Sequence, residues 1–403
     1  MGEELPPPKS TAHGLPGSCA SDLHRLCIGL VVPSVSQSSA FETPAVSLLA
    51  DALDRQAHLT VFTVRQPAED SPEPSALRVI SHRHDRSAPR ARDILRHTVT
   101  AIIAAHRRRP FHVLHGLWLY ESGAAAVIAA RILRVPVIVS VGGGEVVHLP
   151  DIGYGMVQSR RGRLIVGQVL RRATIVTGGS TSILRLAEHA AGKTLHTVRI
   201  PLPIDAPAFA LVRDHPRVPR ALVQVAALLP VKQQELLLRS LREVRLHLPD
   251  VRLTVLGEDP HDATPFLLRL ADELGIGDAV HFAGRVPHAD LPTALAGHTL
   301  HVQTSFHESQ GLGVLEAAAA GIPSVGTAVG TLADLAPDAA IALAAREADP
   351  VRLGAAIVHV LTHTDVISQL RTRAIQRVEG SYDLRPVLTQ WMDLYAALAS
   401  GHV

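Results

Sequence analysis

Short apolar runs alternate with longer amphipathic stretches from residue 26 to the end of this 403-residue chain, and they do so in two series. That alternation predicts parallel strands joined by crossover helices, because each crossover between parallel neighbours needs a helix to cover the sheet. In the first series the runs fall at 26–32, 58–64, 111–115, 135–141, 173–178 and 195–200, with helices expected at 43–56, 92–107, 121–133, 158–172 and 180–190. Pro201–Pro219 then interrupts the pattern with prolines, which lack the backbone donor and disfavour helix and sheet interiors alike. The second series has runs at 221–228, 251–257, 279–284, 300–305, 322–327 and 339–343, with helices at 232–247 and 264–274. The expected fold is therefore α/β, two doubly wound Rossmann-like domains facing each other across a cleft. Their boundaries are a disordered lead-in over 1–22, a first domain over 23–203, a linker over 204–219, a second domain over 220–380, and a C-terminal segment over 381–403. That last segment holds an amphipathic helix, with Leu384, Val387, Leu388, Trp391, Leu394 and Tyr395 on one side, that is expected to pack back on the first domain. Ligands of open α/β sheets bind outside the carboxyl ends of the strands, so the cleft is where chemistry belongs.

Composition narrows the partners. A formal net charge of +2 is too small to argue for nucleic acid. The two cysteines, Cys19 and Cys27, form no metal or redox spacing and exclude a disulfide framework, which fits a reducing, cytoplasmic compartment. No run of about 20 apolar residues predicts a membrane span, and the N-terminus lacks the pattern of a signal peptide.

The stretch His307–Gly330, HESQGLGVLEAAAAGIPSVGTAVG, stands out chemically. Glu316 sits in LGVLEAAAA, a helix that reads as buried on all faces, where a bare carboxylate is costly unless something hydrogen-bonds it. Its partner is either a protein cation or a ligand hydroxyl, and a nucleotide sugar is the ligand argued for. Glu308 precedes the helix in a loop at the sheet edge. Gly311 and Gly313 leave amides unshielded at the helix N-terminus, where free donors and the dipole favour an anion such as a diphosphate. Gly321 and Pro323 then stop the helix.

Glu308-x7-Glu316, in the setting ESQGLGVLEAAAAGIPSVGTAVG, resembles the Glu-x7-Glu element of the family 4 (group 1) retaining glycosyltransferases, which have the GT-B fold. PDVRLTVLGEDP, VHFAGRVPHADLPTALAGHTLHVQTS and VQVAALLPVKQQELLLRSL are similar to other segments of that family, as are VLHGLWLYESGAAAVIAARILRVPVIVSVGGGE and VRIPLPIDAPAF in the first half. The resemblance implies that the second domain takes a nucleoside diphosphate sugar and the first a hydroxyl-bearing glycan, lipid or small molecule. It implies that Glu316 holds the ribose, that Glu308 contacts the transferred sugar, and that the loop from Gln310 through the amides of Gly311 and Leu312 holds the diphosphate. Lys232 would neutralise the leaving group, and backbone near Val286 would meet the base. Transfer with retention, by a front-face route, and no metal or other cofactor complete what the resemblance implies.

The chain departs from the family at four places. A common arginine five residues before the lysine is Ala227 here, and the Gly-Gly pair that opens the first helix of the family is replaced near Ala40 and Phe41. A histidine before Gly-Gly is replaced by Gly142, followed by Gly143, Gly144 and Glu145, and Ser309-Gln310 stands where Gly-Phe is common. Gly143, Gly144, Glu145, His115 and Trp118 are candidates for the acceptor side, with Tyr120 and Glu121 nearby, although a strand-end histidine and a packed tryptophan are ordinary structural residues. The basic clusters at 82–92, 106–109 and 159–163 suggest peripheral contact with an anionic membrane, or else a solvated face. Two other functions stay open at this level: a sugar-nucleotide epimerase on the same fold, and a non-catalytic nucleotide-sugar-binding protein.

Overall fold

The computed structural model describes residues 26–33, 43–66, 79–83, 90–345 and 347–402. The lead-in over 1–22, the Ala40–Phe41 position and much of the basic cluster at 82–92 lie outside the described residues.

The first sheet has seven parallel strands: β1 (Cys27–Val32), β2 (His58–Gln66), β3 (Val79–Arg83), β4 (Val113–Leu117), β5 (Val137–Val141), β6 (Ile175–Gly178) and β7 (Thr197–Arg199), in the order β3-β2-β1-β4-β5-β6-β7. The second has six: β8 (Ala221–Val225), β9 (Arg252–Leu256), β10 (Val280–Gly284), β11 (Leu300–Gln303), β12 (Ser324–Thr327) and β13 (Ala340–Leu343), in the order β10-β9-β8-β11-β12-β13. Each expected apolar run became a strand, and β3 joins as an edge strand that its short, mixed sequence VISHR does not announce. In both sheets the order reverses once, between β1 and β4 and between β8 and β11. At such a switch point the loops leave the sheet in opposite directions and open a crevice at the carboxyl edge.

The central strands of both sheets are buried on both faces, which is why they read as continuous apolar runs rather than alternating ones, while the edge strands β7 and β10 are largely exposed. One face of the first sheet is covered by the final helix, Leu384–Ala399, whose Val387, Trp391 and Tyr395 are fully buried against Ile28, Leu30 and Ile138. The chain thus crosses between domains twice, and the crossings are hydrogen-bonded to each other: Ile204 N donates to Tyr382 O at 3.0 Å and Leu384 N to Ile204 O at 3.1 Å. The proline-rich stretch expected as a linker is more than a tether. It forms a short helix, Ala206–Ala210, and buries Phe209 and Val212 in the core of the second domain. Among the described residues, no helix is long and apolar enough to cross a membrane.

Candidate active site

A cleft of about 1200 Å³ runs between the two carboxyl edges and is lined from both domains. Its second-domain wall is built from the two loops at the switch point. After β8 a single turn, Pro230–Lys232, ends at Gln233 in a left-handed conformation (φ 51°). That turn is stitched to the loop after β11: Phe306 N donates to Val231 O at 2.8 Å, Thr304 Oγ1 to Lys232 O at 2.7 Å, and Gln233 Nε2 to Thr304 O at 2.8 Å. The result is to place Lys232 Nζ 2.6 Å from Glu308 Oε1, which also accepts from Ser305 Oγ at 2.7 Å. Burial alone would raise the Glu308 pKa, but the charge and hydrogen bond of Lys232, together with Ser305 and His307, outweigh it and hold the carboxyl below its ordinary value. The pair is a fixed cation beside a fixed anion at the floor of the cleft.

The helix Leu312–Ala319 starts from Gly311, whose φ of 86° suits glycine. Gly313 is required by packing: a Cβ there would lie 2.7 Å from Val225 O, so its absence lets the first turn settle on the end of β8. Both Gly311 and Leu312 border the cleft with the helix amides behind them. Glu316 is buried among Val314, Leu315 and three alanines, as its sequence setting required. Of the two kinds of partner expected for it, a protein group is present: His288 Nε2 lies 3.0 Å from Glu316 Oε1, on a cleft-lining side chain that stays 41 % exposed. The far end of the helix is held by arginines from the 204–219 stretch. Arg213 Nε donates to Ala319 O at 2.7 Å and Arg217 Nη2 to Ala320 O at 2.6 Å, satisfying orphan carbonyls and placing positive charge at the negative end of the dipole.

On the first-domain wall, Gly142, Gly143, Trp118 and Tyr154 border the cleft. Trp118 leaves β4 in the left-handed region (φ 68°), a costly conformation for an aromatic residue, and its backbone is pinned by Trp118 N donating to Ser140 O and Gly123 N donating to Trp118 O, both at 2.9 Å. The indole lies over Gly142, where any Cβ would come within 1.7 Å of Trp118 Nε1. Gly142 is therefore the residue that makes room for Trp118, and the position that carries a histidine in the family resemblance is filled from another loop.

Two acceptor candidates turn inward. Glu145 is buried and ties its own turn together, accepting from Gly143 N at 2.5 Å and Leu119 N at 3.2 Å, and burial raises its pKa. His115 is wholly buried, because β4 runs two residues further than the expected 111–115 and places it in mid-strand facing the final helix. There it bonds to Tyr395 Oη at 2.7 Å and Ser140 Oγ at 2.8 Å and packs on Trp391. Gly144 packs against the Tyr154 ring. Gln310 borders the cleft, but its carboxamide is engaged elsewhere: Oε1 accepts from Leu202 N and Nε2 donates to Leu202 O, both at 2.8 Å. Val286 is at the cleft wall, and its neighbour Arg285 lines the same cavity, a cation that the sequence reading passed over while noting the gap at Ala227. His307, also passed over, lines the cleft beside Glu308, and its buried Nε2 has no hydrogen-bond partner among the described residues.

The family description "Glycosyl transferases group 1" matches residues 213–379, and "Glycosyl transferase 4-like domain" matches 43–203. A D-inositol 3-phosphate glycosyltransferase of Frankia alni is 30 % identical over 314 residues, which is 69 % of this chain and 72 % of that protein. The chain belongs to the group 1 glycosyltransferases. A second relative of this group 1 glycosyltransferase is the GDP-mannose-dependent alpha-(1-6)-phosphatidylinositol monomannoside mannosyltransferase of Mycolicibacterium smegmatis, 27 % identical over 261 residues, covering 58 % of this chain and 65 % of that protein. Solved structures share its GT-B fold: Anabaena HepE in complex with UDP and glucose (TM-score 0.72, 16 % identity, 93 % of this chain and 100 % of that one) and sucrose-phosphate synthase of Thermosynechococcus elongatus (TM-score 0.73, 19 % identity, 94 % and 100 %).

Proposed function

We propose that this glycosyltransferase moves a sugar from a nucleoside diphosphate sugar, held on the second-domain wall, to a hydroxyl presented by the first, with retention and without a metal ion. The observation that carries the reading is the Lys232–Glu308 pair set beside the N-terminus of the helix Leu312–Ala319. The diphosphate lies against the amides of Gly311 and Leu312 with Lys232 and Arg285 as cations, so that charge developing on the leaving group meets fixed donors. Glu316 and His288 face the ribose, backbone near Val286 the base, and Glu308 the transferred sugar. Trp118 and the glycine turn at 142–143 bring the acceptor hydroxyl across.

Relatives named for inositol 3-phosphate and for a phosphatidylinositol mannoside put inositol-bearing acceptors first among those to try. A lipid acceptor would be met at the inner face of a membrane, where the exposed Arg160, Arg161, Arg163 and Leu164 on one first-domain helix would contact anionic headgroups. Flotation with anionic vesicles at low and high salt tests that contact: binding lost with salt supports it, and no binding at low salt removes it.

The test of function is turnover of UDP-, GDP- and ADP-sugars, with and without polyol, glycan and lipid acceptors. Acceptor-dependent transfer is expected. Donor binding without turnover under every acceptor would overturn the reading in favour of a binding protein, and an epimerised donor formed without acceptor would overturn it in favour of an epimerase.

A further inference from the structure

The loop that carries Glu308 is bonded to the opposite domain at three separate points. Gln310 grips both backbone groups of Leu202 at 2.8 Å, Ser309 Oγ donates to Gly143 O at 3.0 Å, and Ser180 Oγ donates to Ser309 O at 2.6 Å. Ser180 is also the N-cap of the helix Thr181–Ala191, so the third point is anchored in secondary structure. Both loop side chains are buried, at 9 % exposure for Ser309 and 7 % for Gln310. The fit is close on the far side as well, because a Cβ on Gly179 would lie 2.2 Å from Gln310 Oε1. Within its own domain the loop is equally fixed: Thr331 N donates to Gln310 O at 2.6 Å, and Gly330 packs against Gln310 O and the Glu308 side chain. Glu308 and these contacts therefore move as one body.

From this geometry we infer that Ser309 and Gln310 are positioning residues for the transfer step: they set the separation between the Lys232–Glu308 pair and the Gly142–Gly143 turn, and with it the reach from donor sugar to acceptor hydroxyl. The inference rests on the reading that transfer takes place across this cleft. A Gly-Phe pair at 309–310 has no side-chain hydroxyl or amide and would make none of the three side-chain bonds these two residues form, so this chain registers its two halves by its own polar choice. Near-attack geometry is steep in distance, and a misplacement of about 1 Å costs on the order of 100-fold in rate.

The test uses the full chain, four single variants, Gln310→Ala, Ser309→Ala, Ser309→Thr and Gly179→Ala, and two double variants, Gly179→Ala/Gln310→Ala and Ser309→Ala/Gln310→Ala. Small-angle scattering reports the separation of the domains without ligand, calorimetry reports UDP and GDP affinity, and turnover is measured with the nucleotide sugar that the unaltered protein uses. Gln310→Ala is expected to lower kcat by about 10- to 100-fold and to raise the radius of gyration, while nucleotide affinity, made within the second domain, stays within about threefold. Ser309→Ala is expected to show the same split more weakly, and Ser309→Thr, which keeps the hydroxyl, to restore kcat. Gly179→Ala is expected to reproduce the Gln310→Ala loss without adding to it in the double variant. Turnover within about twofold of the unaltered protein, or nucleotide affinity falling as far as turnover, overturns the inference. If the unaltered protein turns over no nucleotide sugar, the functional reading fails by itself, and an unchanged radius of gyration in the Ser309→Ala/Gln310→Ala variant then decides against the clamp independently.

Discussion

The two carboxyl edges that face each other across the cleft are built in opposite ways. The second-domain edge lines the cleft with ionisable groups, among them two pairs, Lys232 with Glu308 and His288 with Glu316, and beside them Arg285 and His307. On the first-domain edge the ionisable groups point away from it: Glu145 staples its own turn and His115 lies under the final helix, leaving glycines, Trp118 and Tyr154 at the surface. One wall offers paired charge, which suits the diphosphate proposed to lie there; the other offers shape, and on the same proposal it is the wall that selects the acceptor.

That contrast is broken most directly at Lys232. Lys232→Ala removes the cation from the charged wall and leaves Glu308 unpaired, and turnover is expected to fall by about 100- to 1000-fold, the cost of losing one fixed group that stabilises developing charge. A fall of less than about tenfold would mean that Arg285 or the helix terminus carries the leaving group. Next in size, Glu316→Gln keeps the shape of a buried side chain and loses its charge; the donor KM is expected to rise about tenfold with a smaller change in kcat, the signature of lost uniform binding. An equal fall in both kcat and kcat/KM would move Glu316 into the transition state and blur the division of labour along its own wall.

The smallest effect on catalysis is expected at His115. His115→Phe should leave donor and acceptor kinetics unchanged, since the buried imidazole does not line the cleft, and should cost about 1 to 3 kcal/mol of stability by removing the hydrogen-bond partner of Tyr395 Oη and leaving Ser140 Oγ with Thr177 alone. Altered acceptor KM in that variant would return His115 to the acceptor wall. The substitution also has a pH signature. Burial pushes the His115 pKa down to about 3 from an ordinary 6.5, so between these values the unfolded chain binds a proton that the folded chain refuses. Stability therefore rises with pH across that window and is lost as pH falls through it. In chemical denaturation at a series of pH values, His115→Phe should flatten this acid slope, with the remaining slope including His301, whose burial lowers its pKa to about 4.

The framework of the fold was legible because it rests on local pattern. A parallel strand buried on both faces must be apolar throughout, so each of the twelve expected runs announced itself, and the helices between them followed from periodicity. Edge strand β3 escaped because its sequence, VISHR, is short and mixes apolar with polar residues. The Glu308–Glu316 spacing was legible for the same local reason, since a loop and the helix it feeds are set by neighbouring residues. What could not be read is direction in space. Unbroken apolar runs do not say which face a given residue takes, which is how His115 came to be placed at an acceptor site and lies instead beneath Trp391. Nor does sequence say what lies opposite a loop, so neither the span of the Gln310 carboxamide to Leu202 nor the place of His288 beside Glu316 could be read from it.

The paired crossings at Ile204 and Asp383 bear on how such a protein can be recombined. The first domain is assembled from two pieces of chain, since it takes back the helix Leu384–Ala399, and the second begins within the nominal linker, where Arg213 and Arg217 cap the helix that carries Glu316. A hybrid that exchanges the acceptor half of one family member for that of another cannot be made with a single splice near residue 219, which would separate Arg213 and Arg217 from the carbonyls they satisfy and leave Trp391 and Tyr395 on a foreign sheet. It needs two junctions, beside Ile204 and beside Asp383, where the two crossings already lie side by side.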